Sequence, residues 1–355
     1  MNHGAPQAIR LDPNTLGLPK AIDQAIGVQL HLRFRFRRIL TREVLLIHGP
    51  NGWGEFCPFP EYGLPATRLW LASALEAAII GWPDPVRSDV PINATVPAIS
   101  PPDAMAIVRQ TNATTVKVKV ADPGQTIDDD VARLRAVRHA LGDTGQIRID
   151  ANGAWHVDEA IARVKAYNDA ARPQGADTRT PGLEYVEQPC QRLQDLAEVR
   201  AATGVRVAAD ESIRLAPDPF EIPGLDQAAD LIVVKAAPLG GVRRARAVVD
   251  THGLPCVISS ALESAVGMRA GVALAASVPT LAGACGLGTG QLFNHDVSWP
   301  ISTTGEEALG PVSPNNLDYV DRLDGLEHLT AQLRDTMRSD GDKNTLTRRD
   351  WTDGD

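Results

Sequence analysis

The chain is short of cysteine, of long apolar runs, of glycine-rich phosphate turns and of positive charge, and each shortage removes a class of protein. Its four cysteines, Cys57, Cys190, Cys256 and Cys285, are scattered with no C-x-x-C pair, so neither a zinc site nor a disulfide framework is indicated. No apolar stretch approaches the roughly 20 residues that a bilayer-spanning helix needs. The opening MNHGAPQAIRLDPN lacks the apolar core of a secretory signal, and the expected location is the cytoplasm. A formal net charge of -9 offers no broad basic field to nucleic acid or to an acidic membrane. The local basic cluster Arg33, Arg35, Arg37 and Arg38 reads as a solvated strand face. The G-x-G-x-x-G turn that opens a doubly wound dinucleotide fold is absent, which disfavours that fold. The histidines and cysteines match no nucleophile and base arrangement, which disfavours acyl transfer by a triad.

What is present is a core-forming globular composition of 355 residues, 43% hydrophobic and 22% charged, enough for one large domain with a smaller companion. From about residue 91, short β-branched runs recur: INATVPAI, TVKVKV, QIRIDAN, LEYVEQP, VRVAADES, DLIVVKA, PCVISSA and a much weaker CGLGTG. Helical patterns such as Asp128 to Leu141, His156 to Ala171 and Gly241 to His252 lie between most of them. Eight strands alternating with helices predict an α/β fold, a parallel (β/α)7β TIM-like barrel, over 91–295. Upstream, VQLHLRFRFRRIL and REVLLIHGP predict a hairpin turning near Thr41, followed by a helix from Ala66 to Ile80. Together they form an α+β capping domain over 21–90. Residues 1–20 are expected to be a loose extension. Residues 296–355 are expected to return toward the capping domain and end in a mobile charged tail, RDTMRSDGDKNTLTRRDWTDGD.

In a parallel barrel the active site lies at the C-terminal ends of the strands. Lys117 and Lys119 share one strand face, as do Arg148, Asp150 and Asn152. Further along, Glu187, Asp210 with Glu211, and Lys235 each end an apolar strand. The order Lys119, Asp150, Glu187, Asp210, Lys235 advances by 23 to 37 residues per step, about one β/α unit each time. Any one of these charges fits a solvated strand end, but five in phase point to a shared site. Three carboxylates converging on one mouth repel one another unless a cation sits among them. Hard oxygen donors suit Mg²⁺, with Mn²⁺ as a substitute, so Asp150, Glu187 and Asp210 are the expected metal ligands. A metal-held carboxylate acidifies the adjacent carbon, and a neutral lysine can remove its proton. Lys117, Lys235 and the ion would all disfavour the charged form of Lys119. Arg148 is expected to hold a substrate carboxylate with its fork. Asn152 and Glu211 are expected to steady the ligands.

The motifs TVKVKV, IRIDANGAW, EYVEQP, AADESIR, VVKAAPLGG, SSALESAVG and GLGTG, as an ordered set over roughly 28–297, resemble the enolase superfamily. The closest resemblance is to its muconate-lactonizing-enzyme-like branch, with K-x-K on the second barrel strand and a lone lysine on the sixth. The resemblance implies Lys119 as the proton-transferring base, Lys235 as the opposing cation, Lys117 as its tuner, and Ser260 and Gly288 beside a succinyl tail. It further implies a lyase of menaquinone synthesis, in which 2-succinyl-6-hydroxy-2,4-cyclohexadiene-1-carboxylate loses water to become an aromatic dicarboxylate. N-succinylamino acid racemases, dipeptide epimerases and muconate cycloisomerases share the same frame and remain the alternatives. From another class, a barrel-derived binding protein without turnover is disfavoured, because every chemical position retains a competent residue. The expected partner is a small-molecule dicarboxylate, with no nucleic acid or membrane; the sequence leaves the oligomeric state open. The short hairpin turn leaves little loop to close over a bulky side chain.

Overall fold

The computed structural model describes residues 4–298 and 312–340. Its barrel sheet is all-parallel, in the order β11-β10-β9-β8-β7-β6-β5. The strands are β5 (Ala94–Val96), β6 (Thr115–Lys119), β7 (Gln146–Asp150), β8 (Tyr185–Glu187), β9 (Val207–Ala209), β10 (Leu231–Val234) and β11 (Cys256–Ile258). They are buried on both faces, as a sheet covered by crossover helices requires. Alternation divides them cleanly. Val116, Val118, Ile147, Ile149, Val186, Val207, Ile232, Val234 and Ile258 face outward into the main core with the helices. Tyr185, Ala208, Leu231, Val233 and Val257 form a separate small cluster inside the barrel. Lys117, Arg148, Glu187 and Asp210 lie in phase with that inner set.

The expected eighth strand is reduced to two bridges. Cys285 pairs with Ile92 at the start of β5, and Gly286 pairs with Ser259 at the end of β11, so CGLGTG closes the seam without a full ladder. Its glycines explain both the weak strand and the tight closure. A Cβ on Gly288 would sit 2.7 Å from the Asn93 carbonyl oxygen, and one on Gly286 would sit 2.5 Å from Ser259 Oγ.

The helices between strands start where their sequences dictate. Thr126 and Asp129 form a reciprocal capping box for Ile127–Leu141, and Ser100 caps Pro101–Thr111 by accepting from the Asp103 N–H, each satisfying backbone donors that a helix start leaves free. Just past the strands, Ala121, Asn152 and Gln188 adopt positive φ of 61°, 49° and 40°. Three non-glycine residues in the left-handed region, each within two positions of a charged mouth residue, mark strain gathered at one end of the barrel.

The second sheet is β12-β1-β2-β3-β4, from β1 (Gln7–Leu11), β2 (Gln24–Phe36), β3 (Ile39–Gly49), β4 (Gly52–Phe56) and β12 (Asp318–Tyr319). Two expectations are corrected here. Residues 7–11, expected in a loose extension, pair antiparallel with β2 and parallel with β12. The hairpin turns at Arg37 and Arg38, whose φ values are 47° and 68°, rather than near Thr41, which pairs with His31 inside β3. The cap helix spans Leu64–Leu75 and continues as a wider turn over Glu76–Ile80. It lies close on β4 because Gly54 has no side chain: a Cβ there would stand 2.0 Å from the Ala74 carbonyl oxygen. The C-terminal helix Glu327–Asp340 takes up the first seven residues of the expected tail. Its Leu329 and Leu333 are buried in the cap core, and Thr336 Oγ1 lies 2.8 Å from Thr67 Oγ1 on the cap helix. The rest of that tail, 341–355, lies outside the described residues.

Cap and barrel share one core, in which Ala261, Leu262, Ala265 and Val266 join the cap's apolar residues. Two cap carboxylates also reach into barrel helices. Glu55 accepts from Ser264 N and Gly267 N, both at 3.1 Å. Glu76 accepts from Val242 N at 2.5 Å and Arg243 N at 3.1 Å. Anions at helix N-termini are favourable there, since they meet free N–H groups and the positive end of the helix dipole.

Candidate active site

Register sets the site before any side chain is considered. Lys119 pairs with Asp150 across β6 and β7, and Asp150 pairs with Glu187 across β7 and β8. Asp210 and Lys235 directly follow β9 and β10. Five consecutive strands thus deliver their charges to one end of the barrel.

Each carboxylate is held by a lysine. Lys117 Nζ donates to both Glu187 oxygens, at 3.1 and 2.9 Å, and lies 3.5 Å from Asp150 Oδ2. Lys119 Nζ bonds Asp150 Oδ2 at very short range and Asn152 Oδ1 at 2.8 Å. Lys235 Nζ reaches Asp210 Oδ2 at 2.5 Å. Arg214 holds the other Asp210 oxygen at 3.2 Å and Glu211 at 2.6 Å, and donates to the Tyr62 hydroxyl at 2.8 Å. Asn152 Nδ2 donates to Glu211 at 3.1 Å. Gln188 accepts from Asp210 N at 2.9 Å and so fixes the backbone that carries Asp210. Asn152 thus joins Lys119 to Glu211, and Arg214 joins Glu211 to Asp210.

The groups titrate apart because burial and charge act on them differently. Glu187 is pushed up to about 7, first by burial and then by repulsion from Asp150. Burial works against Asp150 and Asp210 as well, but Lys119 and Lys117 hold Asp150 well below the usual carboxylate range, and Lys235 with Arg214 brings Asp210 to about 2. Burial alone would lower Lys117, yet Glu187 and Asp150 raise it above its ordinary value. Lys119 moves the other way. Burial lowers it, Lys117 adds to that, and Asp150 opposes. The neighbouring lysine thus acts on Lys119 as the sequence suggests, but desolvation is the larger cause.

These lysines line one small cavity with Thr95, Asp150, Asn152, Ser259, Ser260, Gly286 and Thr289, roofed by Phe36 and Arg37 from the β2–β3 turn. Its volume is about 30 Å³, room for a water or two rather than a ring, so a substrate must displace the turn or the lysines. The short hairpin closes the mouth with its own tip: Phe36 lies 5.6 Å from Lys119 Nζ and Arg37 stacks 4.3 Å over Phe59. The Arg33–Arg38 cluster is therefore partly structural, since Arg33 also donates to the Phe293 carbonyl at 3.1 Å.

Two expected substrate contacts fall elsewhere. Arg148 is fully buried and sits two residues deeper than Asp150. Its donors go to Glu184 at 2.6 and 3.2 Å, Asn93 at 3.1 Å and the Ala284 carbonyl at 2.5 Å, and its guanidinium lies 4.8 Å from the Tyr185 ring centre. It braces the barrel floor and does not line the cavity. Gly288 packs on the Asn93 backbone, while its neighbours Gly286 and Thr289 do the lining. Ser260, expected to bind substrate, lines the cavity, with its hydroxyl 2.7 Å from Thr289 Oγ1. Sequence reasoning missed Thr95, Ser259, Thr289, Phe36 and Arg37. Alternation within INATVPAI and SSALES could have marked the first two as inward.

The donor set fits a small divalent cation by chemistry: three adjacent hard carboxylates, with Glu187 destabilised by the other two, and one buried Glu211 oxygen that has no partner among the described residues. As the side chains stand, no three acidic, histidine or cysteine groups among the described residues are gathered tightly enough to share an ion. The lysines occupy the oxygens that a cation would take.

Comparison with known proteins places this arrangement. Residues 103–301 match the model "Enolase C-terminal domain-like" and residues 28–78 match "Enolase N-terminal domain-like", which defines the class as a capped barrel of the enolase superfamily. Among solved structures, the L-Ala-D/L-Glu epimerase of Bacillus subtilis superposes with TM-score 0.65 at 22% identity, covering 89% of this chain and all of that one. Muconate cycloisomerase from Pseudomonas fluorescens gives 0.61 at 19%, covering 82% and 96%. At those identities the likeness speaks for the fold alone. The sequence relatives are nearer. The o-succinylbenzoate synthase of Thermobifida fusca is 51% identical over 75% of this chain and 80% of its own, and that of Mycobacterium ulcerans is 49% identical over 85% and 89%. The chain belongs to the enolase superfamily and, within it, to the o-succinylbenzoate synthase family of hydro-lyases. No helix among the described residues is long and apolar enough to cross a membrane.

Proposed function

We propose that the chain catalyses the Mg²⁺-dependent syn-dehydration of 2-succinyl-6-hydroxy-2,4-cyclohexadiene-1-carboxylate to o-succinylbenzoate, a step of menaquinone synthesis. The observation that carries this reading is the pair of lysines, Lys119 and Lys235, lining one cavity with the Asp150 carboxylate between a buried charge set and a polar wall. Asp150, Glu187 and Asp210 would hold the ion. When bound, Mg²⁺ neutralises the ring carboxylate and makes the adjacent carbon a stronger acid.

The chain's own groups then divide the work. Lys119, in its neutral form, removes the proton from the ring carbon that bears the carboxylate. Lys235, across the mouth, presents a fixed ammonium to the negative charge that builds on the carboxylate oxygens. The bond to the C6 oxygen breaks as the ring becomes aromatic, and Lys119 returns its proton to the departing hydroxide, giving water. One base serving both transfers requires that proton and hydroxyl leave from the same face. Lys117 stays protonated between Glu187 and Asp150, where it orients both carboxylates. Asn152 steadies Lys119 and Glu211 at once.

The test is an ultraviolet assay for aromatic product from the cyclohexadiene substrate, with and without Mg²⁺. Ion-dependent product formation is expected. Racemisation of an N-succinylamino acid without any dehydration would replace this reading by its racemase alternative.

A further inference from the structure

The polar wall of the cavity lies at the seam where the barrel closes, and its hydroxyls are not equivalent. Ser260 and Thr289 satisfy each other at 2.7 Å. Ser259 lies within 3.5 Å of Lys117 Nζ and 3.4 Å of the Gly286 carbonyl. Thr95 is as buried as Ser259, at 4% exposure, but it alone of these hydroxyls has an Oγ1 with no partner among the described residues, while the residue lines the cavity. Buried hydroxyls are ordinarily paired, and an exception calls for a partner supplied from outside the chain.

The fold says which part of a substrate could supply it. Thr95 pairs with Lys117 in the β5–β6 register, at the depth of the cavity floor. β5 is separated from β8 and β9, which carry Glu187 and lead to Asp210, by the whole width of β6 and β7. A ring carboxylate directed at Asp150, Glu187 and Asp210 therefore turns its other oxygen-bearing arm toward the seam. Resting on the dehydration proposed above, we infer that Thr95 is a substrate-binding residue whose hydroxyl donates to an oxygen of the succinyl arm. The inner-face hydroxyl then serves specificity: a substrate without that arm gives the Thr95 hydroxyl no oxygen to donate to.

Calorimetric titration of the Mg²⁺-loaded protein with o-succinylbenzoate and with benzoate, which lacks the arm, tests this. Thr95→Val should weaken o-succinylbenzoate binding about tenfold to a hundredfold, the range for a lost hydrogen bond to a neutral or charged oxygen, and leave benzoate unchanged. Thr95→Ser should restore parental affinity. The product has no C6 hydroxyl, so an unchanged product affinity in Thr95→Val would overturn the inference, as would equal weakening of both ligands or a failure of serine to rescue. If the parent protein itself does not bind o-succinylbenzoate, the proposed reaction falls and takes this inference with it.

Discussion

The barrel interior holds buried cations at two depths, and they behave as opposites. On the floor, Arg148 is paired with Glu184, Asn93 and a backbone carbonyl, so its charge is fully spent on the protein. One layer up, Lys119 and Lys235 hold carboxylates but also line a cavity, so theirs is available to a ligand. Arg148 and Lys119 both point into the barrel and both sit near a strand end. Strand alternation tells which face a residue occupies; only register tells how deep it lies. Lys117, paired in register with Arg148, shows the gradation: its ammonium turns up to Glu187 rather than staying on the floor.

Replacing a mouth cation should therefore stop chemistry in a folded protein, and replacing a floor cation should unfold an otherwise competent one. The largest effect belongs to Lys119. Lys119→Ala should lower dehydration by about 10⁴-fold, the upper range for a positioned acid or base, in a protein that stays folded at the assay temperature because Lys117 still faces Asp150. In D₂O with an N-succinylamino acid, Lys119→Ala and Lys235→Ala should each exchange the α-proton of at most one enantiomer, read by NMR. Parental exchange of both enantiomers by Lys119→Ala would break the comparison at its upper end.

Asp210→Asn comes next. It removes a charged donor from a set of three and leaves Lys235 and Arg214 facing a neutral amide. Mg²⁺ affinity should drop by on the order of 10²-fold, and turnover with it. Direct calorimetry with the ion alone separates this from a catalytic defect. Ordinary ion affinity in that variant would remove Asp210 from the proposed ligands.

The alternation of TVKVKV and IRIDAN, the β/α spacing and the five charges in phase were legible because each depends on local pattern alone. Three features were not. The strand Gln7–Leu11 forms only because β12, some 300 residues away, and β2 flank it. The hairpin turn lies at Arg37 and Arg38, which carry none of the glycine or asparagine that usually announces positive φ. The depth of Arg148 and the role of Gly288 depend on how a glycine-rich segment closes the barrel, which no strand periodicity encodes.

Arg148→Met sharpens the floor half of the comparison. It strands Glu184 without its partner and leaves Asn93 short of a donor, a change that typically costs about 3–5 kcal/mol for a buried pair. The thermal midpoint should fall by roughly 4–7 °C, while kcat/KM measured well below that midpoint should stay within about threefold of the parent. A variant of parental stability with a raised KM would instead restore the expectation that Arg148 holds substrate.

The smallest effect tests the same question where the seam meets the floor. The sequence placed Gly288 beside the succinyl tail, whereas the structure sets it against the Asn93 backbone, and Asn93 is the residue that holds Arg148. Gly288 has no positive φ, so alanine there meets no backbone strain, only the Asn93 carbonyl oxygen 2.7 Å from the new Cβ. Backbone cannot yield as a flexible side chain can, and overpacking of this kind costs about 1–3 kcal/mol. Gly288→Ala should therefore lower the thermal midpoint by about 1–4 °C and loosen the floor, leaving KM for the dehydration substrate near its parental value. If the midpoint held and KM rose, Gly288 would belong to the binding wall with Thr95 and Ser260, and the boundary between floor and mouth would have to be drawn one layer lower.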